Sequence, residues 1–163
     1  MDLTELDAQI GTIGGLIKDA RLYSPLALAF VGDGVFDLVI RTLVAADGNR
    51  PVKKMHREKA GIVNAHAQAQ MVKRLTPFLS VEEEDVLRRG RNAHSATTAK
   101  NQSIADYRLA TGLEALCGYL YLTGRTERLL ELIRLAWDGS VREETEEHGK
   151  TDDLPAGEER DEG

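Results

Sequence analysis

Between Leu26 and Val44 nearly every position is apolar. Apart from two glycines, only Asp33, Asp37, Arg41 and Thr42 break the run. Ser24 is a good N-cap and Pro25 suits a first helical position, so the pattern predicts a helix that starts there and stops near Asp47-Gly48. A helix that is apolar all round is a buried one. This segment is therefore the expected centre of the fold, with the carboxylate of Asp33 in its middle. The other segments read as weaker or amphipathic helices. Residues 4–22 give a loose pattern through Leu6, Ile10, Ile13, Leu16 and Ile17, interrupted by Gly11, Gly14 and Gly15, and suit a peripheral helix. Pro51 opens a basic amphipathic helix over Val52–Ala60, with a bend expected at Gly61. The helical pattern resumes from Asn64 to Leu75 and ends at Thr76-Pro77. Ser80-Val81-Glu82-Glu83 is a capping box that opens a helix reaching Arg91. Ser103 with Asp106 marks another start, for a helix that runs to about Thr123 with Gly124 as its stop. A last helix spans Thr126 to Trp137. No period-two alternation occurs, so the fold class is all-α.

Length and composition sharpen this picture. A chain of 163 residues allows one domain with extensions. The boundaries fall at 1–22 for the N-terminal extension, 23–139 for the domain and 140–163 for an acidic tail, expected to be disordered because it has few apolar residues and many like charges. Cys117 is the single cysteine, so no internal disulfide forms and a reducing compartment is expected. There is no apolar run of about 18 residues and no basic-then-apolar start, so neither a membrane span nor a leader is expected, and a cytoplasmic location fits.

The net charge of −6 hides an uneven distribution. From Asp138 to Gly163 there are 11 acidic and 3 basic residues. From Arg50 to Arg108 there are 12 basic and 6 acidic residues, a local excess of +6. Phosphates respond to the local sign within a Debye length of about 8 Å, so an acidic chain can still take a nucleic-acid partner.

Two acids stand out. Asp33 lies between Gly32 and Gly34, and each glycine costs about 1 kcal/mol against alanine inside a helix. Such a cost fits a place where something approaches the backbone closely. Glu114 lies between Ala110 and Gly118, one turn away on either side. A structural reading has these glycines packing helices tightly, with Asp33 capping a neighbouring helix and Glu114 bridging to a basic side chain. The functional reading is a metal site. Arg88, Arg89 and Arg91 close one helix and complement its dipole, but the dipole accounts for only one or two of them. The polar loop after Arg91, with His94 and Lys100, offers donors for phosphate and ribose. Lys53, Lys54 and Arg57 form a second basic face, which solvation alone also explains. Histidine-ligated metal chemistry has no support, because His56, His66, His94 and His148 show no ligand spacing and no adjacent His-Asp pair.

Two small-flanked acids on separate helices around a basic middle suggest a metal site acting on nucleic acid. The residues here also resemble a known family. Ala29-Phe30-Val31-Gly32-Asp33-Gly34-Val35-Phe36 resembles the signature helix of ribonuclease III, and Leu113-Glu114-Ala115-Leu116-Cys117-Gly118-Tyr119 resembles that family's second acidic helix. Leu87-Arg88-Arg89-Gly90-Arg91-Asn92-Ala93, with Lys100-Asn101, is similar to the short Mini-ribonuclease III branch, a bare catalytic domain without a double-stranded-RNA-binding domain. The resemblance covers roughly residues 20–137.

The resemblance implies a homodimeric helical bundle that hydrolyses duplex RNA with Mg²⁺ and leaves a short 3′ overhang. Asp33 and Glu114 match the family's catalytic, metal-holding acids. The signature's two upstream glutamates fall on Leu26 and Ala29, and the aspartate one turn before the second glutamate falls on Thr111. The short branch shares this reduced set. Thr111 is then a candidate contact for a metal-bound water, and Phe30 matches the aromatic that plugs the partner subunit. RNA binding falls to Arg88, Arg89, Arg91, His94 and Lys100, with Lys53, Lys54 and Arg57 behind them. The implied substrate is a large-subunit (23S) ribosomal RNA precursor. The alternative is a non-catalytic RNA-binding, ribosome-associated module on the same fold, which the missing acids keep open. A helical adaptor with no RNA partner is a third reading, against which the basic middle weighs.

Overall fold

The computed structural model describes residues 3–14, 19–93 and 103–137. Among them are seven α-helices: α1 (Leu3–Gly14), α2 (Pro25–Ala46), α3 (Val52–Val63), α4 (Ala65–Leu75), α5 (Val81–Asn92), α6 (Ile104–Leu122) and α7 (Thr126–Ala136), with short 3-10 turns at Ala20–Leu22 and Thr76–Phe78. No strand occurs among the described residues, in keeping with the all-α expectation. The acidic tail, most of the loop after Arg91, and the stretch from Gly15 to Lys18 lie outside the described residues.

The helix ends follow local chemistry. Ser24 Oγ accepts from the Ala27 amide at the start of α2, and Gly48, with φ 112°, stands just past its end. Ser80 and Glu83 make the reciprocal capping box of α5. Ser103 Oγ accepts from the Asp106 amide at the start of α6, and Gly124, with φ 70°, follows its end. These positive φ values suit glycine, which has no Cβ to clash there. The break after α3 comes at Asn64 rather than at the expected Gly61. The Asn64 amide donates to the carbonyls of Ala60 and Gly61, and its Oδ1 accepts from the Ala67 amide. One side chain thus closes α3 and opens α4.

The buried axis is α6, not α2 as the apolar run suggested. Every residue of α6 from Ala110 to Tyr121 is buried except Glu114, which is half-buried. The helix packs against α2, α4, α5 and α7. In α2 only the stripe Leu28, Ala29, Gly32, Phe36, Ile40 and Val44 is buried. Asp33 is exposed, contrary to the expected buried carboxylate, because the apolar run of α2 comprises two stripes and this chain covers one. The other includes Leu26, Phe30 and Leu38, which are 39%, 84% and 49% exposed.

Small residues let α6 sit among so many neighbours. A Cβ on Gly32 would lie 1.7 Å from the Glu114 carbonyl oxygen, and one on Gly118 would lie 2.0 Å from that of Leu28. On the other side a Cβ on Gly90 would meet the Ala115 side chain at 2.7 Å, and one on Gly112 would meet the Leu87 carbonyl oxygen at 2.7 Å. At both crossings backbone approaches backbone with no room for a side chain.

Ion pairs fix the outer helices. Arg128 donates to both carboxylate oxygens of the buried Glu83, at 2.9 and 3.0 Å, and to the Phe78 carbonyl, tying α7 to the start of α5. Arg50 donates to Glu58 at 2.7 Å and to the Val44 carbonyl, joining α3 to the end of α2. Asp37 receives Lys59 from α3 and Arg41 from its own helix. No helix among the described residues is long and apolar enough to cross a membrane.

Candidate active site

Close packing at Gly32 puts the two acids together. Gly32 precedes Asp33 and lies against the main chain of Glu114, so the α2–α6 crossing brings the turn carrying one acid onto the turn carrying the other. Their electrostatics agree. The Glu114 carboxyl is pushed up from its ordinary 4.5 to about 7, first by burial and then by the charge of Asp33, while a hydrogen bond from the Gln68 side chain pulls it down. Burial and a like charge both disfavour the ionised form. Cys117, one turn further along α6, is free and buried, and its thiol is pushed up to about 12 by burial and by Glu114.

A third side chain, Gln68, meets the acid pair and was not expected there from the sequence. It lies on α4, is 2% exposed, and its Oε1 is buried without a hydrogen-bond partner among the described residues. A signal for it existed. Ala65, Gln68, Val72 and Leu75 fall on the core-facing side of α4, so the amide stands in an apolar stripe where no polar group is needed for packing.

Thr111 is buried one turn before Glu114, and its hydroxyl donates to the Tyr107 carbonyl at 3.0 Å. The C-terminal end of α5 rests on the same part of α6, since a Cβ on Gly112 would lie 3.3 Å from the Arg91 amide nitrogen. The basic end of α5 is thus anchored two residues from Glu114. Its bases are not equivalent. Arg88 and Arg89 both pair with Asp85, whereas Arg91 is exposed and donates to Asn92. His94 and Lys100 lie outside the described residues. On α3, Lys53, Lys54 and Arg57 are exposed, and no carboxylate among the described residues pairs with them, while Lys59, on the inner side, pairs with Asp37. The structure also brings together a His-Asp pair that is distant in sequence, with His66 Nδ1 3.0 Å from Asp106 Oδ2. It gathers no further ligand: among the described residues no group of three or more His, Cys, Asp or Glu side chains is placed to hold a metal.

The donors at the Asp33–Glu114 crossing are therefore two carboxylates and one amide, all offering oxygen. Such a set suits a hard cation such as Mg²⁺, which binds through one or two carboxylates and keeps several waters. A cation also offsets the burial and the like-charge repulsion that Glu114 experiences, and the unpartnered Gln68 oxygen is a ready acceptor for a water. The residues present fit a divalent ion.

The chain is similar to known proteins along most of its length. The Ribonuclease III domain family matches residues 26–125. A Mini-ribonuclease 3 from Thermoanaerobacter sp. (strain X514) is 52% identical over 113 residues, covering 69% of this chain and 80% of that protein. One from Clostridium tetani is 40% identical over 136 residues, covering 81% and 90%. The crystal structure of a Fusobacterium nucleatum protein superposes with a TM-score of 0.67 at 30% identity, covering 73% of this chain and 97% of that one. The chain belongs to the ribonuclease III family, in its Mini-ribonuclease 3 branch.

Proposed function

We propose that this chain is an Mg²⁺-dependent endoribonuclease that cleaves double-stranded RNA. The observation that carries the reading is the meeting of Asp33 and Glu114 at the α2–α6 crossing, with Glu114 pushed up to about 7, in a chain of this family. Asp33 and Glu114 would hold the ion through carboxylate oxygens. When bound, a divalent ion lowers the pKa of a coordinated water and stabilises charge on the departing oxygen. The chain's own part is to supply both carboxylates from helices locked backbone to backbone and to hold the RNA. Arg91 and the exposed Lys53, Lys54 and Arg57 would meet phosphates. Arg88 and Arg89 would first have to leave Asp85, an exposed pairing worth about 1 kcal/mol or less. Such contacts make binding strongly salt-dependent.

Two further features belong to the same reading. The exposed stripe Leu26, Phe30 and Leu38 on α2 supports a homodimer, which would give one site for each strand of an A-form duplex. The physiological RNA is taken to be the double-stranded ends of the 23S ribosomal RNA precursor, and a strain lacking the protein is expected to accumulate that precursor with unprocessed ends. The direct test is incubation of a long duplex RNA with the protein at low salt. Cleavage is expected with Mg²⁺, none with a chelator, and recovery when Mg²⁺ is restored. Binding without cleavage in every metal would instead favour the non-catalytic RNA-binding module.

A further inference from the structure

Gln68 sits in the apolar face of α4 that packs on α6, and it is nearly inaccessible. Its side chain reaches the Glu114 carboxyl closely enough to pull it down against burial. Its carbonyl oxygen has no hydrogen-bond partner among the described residues. A buried acceptor left without a partner is costly, whereas a leucine of similar volume would fill the same stripe with no polar atom to satisfy. The unsatisfied polar group therefore lies on the residue that reaches the half-buried carboxyl of the acid pair. We propose that Gln68 is a positioning residue for the metal site: its amide nitrogen holds the Glu114 carboxylate in place and its free Oε1 accepts a hydrogen bond from a water in that site. This inference rests on reading Asp33 and Glu114 as cation ligands. Partners of this kind fix the orientation of a ligand, and their removal commonly weakens metal affinity or activity by about 10–100-fold.

The test is Mn²⁺ binding to the full-length protein without RNA, read from the spin-resonance signal of the free ion. Wild type, Gln68→Leu and Asp33→Asn are compared, with the thermal midpoint of each measured in chelator. Gln68→Leu is expected to bind Mn²⁺ at least 10-fold more weakly than wild type, while its metal-free midpoint stays close to that of wild type, because removing an unpaired buried carbonyl offsets the lost contact to Glu114. Gln68→Met, longer and more flexible, repeats the measurement should leucine disturb the packing. Unchanged Mn²⁺ affinity in these variants, with Asp33→Asn weakened, overturns the role of Gln68 and leaves the metal site standing. Equal binding by wild type and Asp33→Asn overturns the metal site, and this inference with it.

Discussion

In the metal-free protein, burial and the charge of Asp33 disfavour the ionised form of Glu114. Between its ordinary value of 4.5 and its value in the fold of about 7, the folded chain keeps a proton that the unfolded chain releases. Stability from this group is therefore complete below about pH 4.5 and is lost as the pH rises through about 7. Carboxylates with lowered values, such as Asp37 and Glu83 beside their cations, act in the opposite sense and at lower pH. The metal-free protein is expected to lose stability between pH 5 and pH 8, about 2 kcal/mol of it through Glu114. Glu114→Gln should flatten that slope, which denaturant midpoints across the range will show. Mg²⁺ binding near pH 6.5 should release protons, seen by calorimetry in buffers of different ionisation enthalpy. At this scale both acids were legible in the sequence because small residues flank them. Gln68 was not, since its role depends on α4 and α6 meeting across 46 positions of chain.

The helix caps were readable because a cap is local: Ser24, Ser80, Ser103 and the glycines after α2 and α6 act within a few residues. The ranking of the helices was not readable. Hydropathy alone does not separate a helix buried on all sides from one with two apolar stripes and a single covered face, so α2 looked like the axis that α6 is. The small residues of α6 (Ala110, Gly112, Ala115 and Gly118) carried the information. The two glycines beside Asp33 therefore differ. Gly32→Ala puts a methyl into the Glu114 carbonyl and should prevent normal folding or cost about 3 kcal/mol or more, as overpacking against backbone does. Gly34 has nothing within 4 Å of the same position. Gly34→Ala should leave stability unchanged or raise it by up to about 1 kcal/mol. Chemical denaturation of the two variants checks both, and a Gly32→Ala protein as stable as wild type would contradict the described crossing.

Across the whole molecule, surface chemistry is divided by helix. The exposed bases of α3 lack carboxylate partners among the described residues, Arg88 and Arg89 of α5 share Asp85 while Arg91 donates to Asn92, and α2 exposes an apolar stripe on the side away from the core. Phe30→Glu should convert a dimer into a monomer by light scattering without lowering the helix content of the chain, because Phe30 supports nothing inside the protomer at 84% exposure. An unchanged dimer would place the interface elsewhere. The net charge of −6 conceals the local excess of +6 between Arg50 and Arg108, while the pairing with Asp85 and the exposed stripe of α2 depend on the fold. The central claim, that Asp33 and Glu114 are the working carboxylates, is tested most directly by measuring binding and cleavage of one long RNA duplex in Mg²⁺ for wild type, Asp33→Asn and Glu114→Gln. The account predicts that all three bind and that only wild type cuts, with at least about a 100-fold loss of cleavage in each variant, as for removal of a group acting on the transition state. Cleavage by either variant at near the wild-type rate would contradict it.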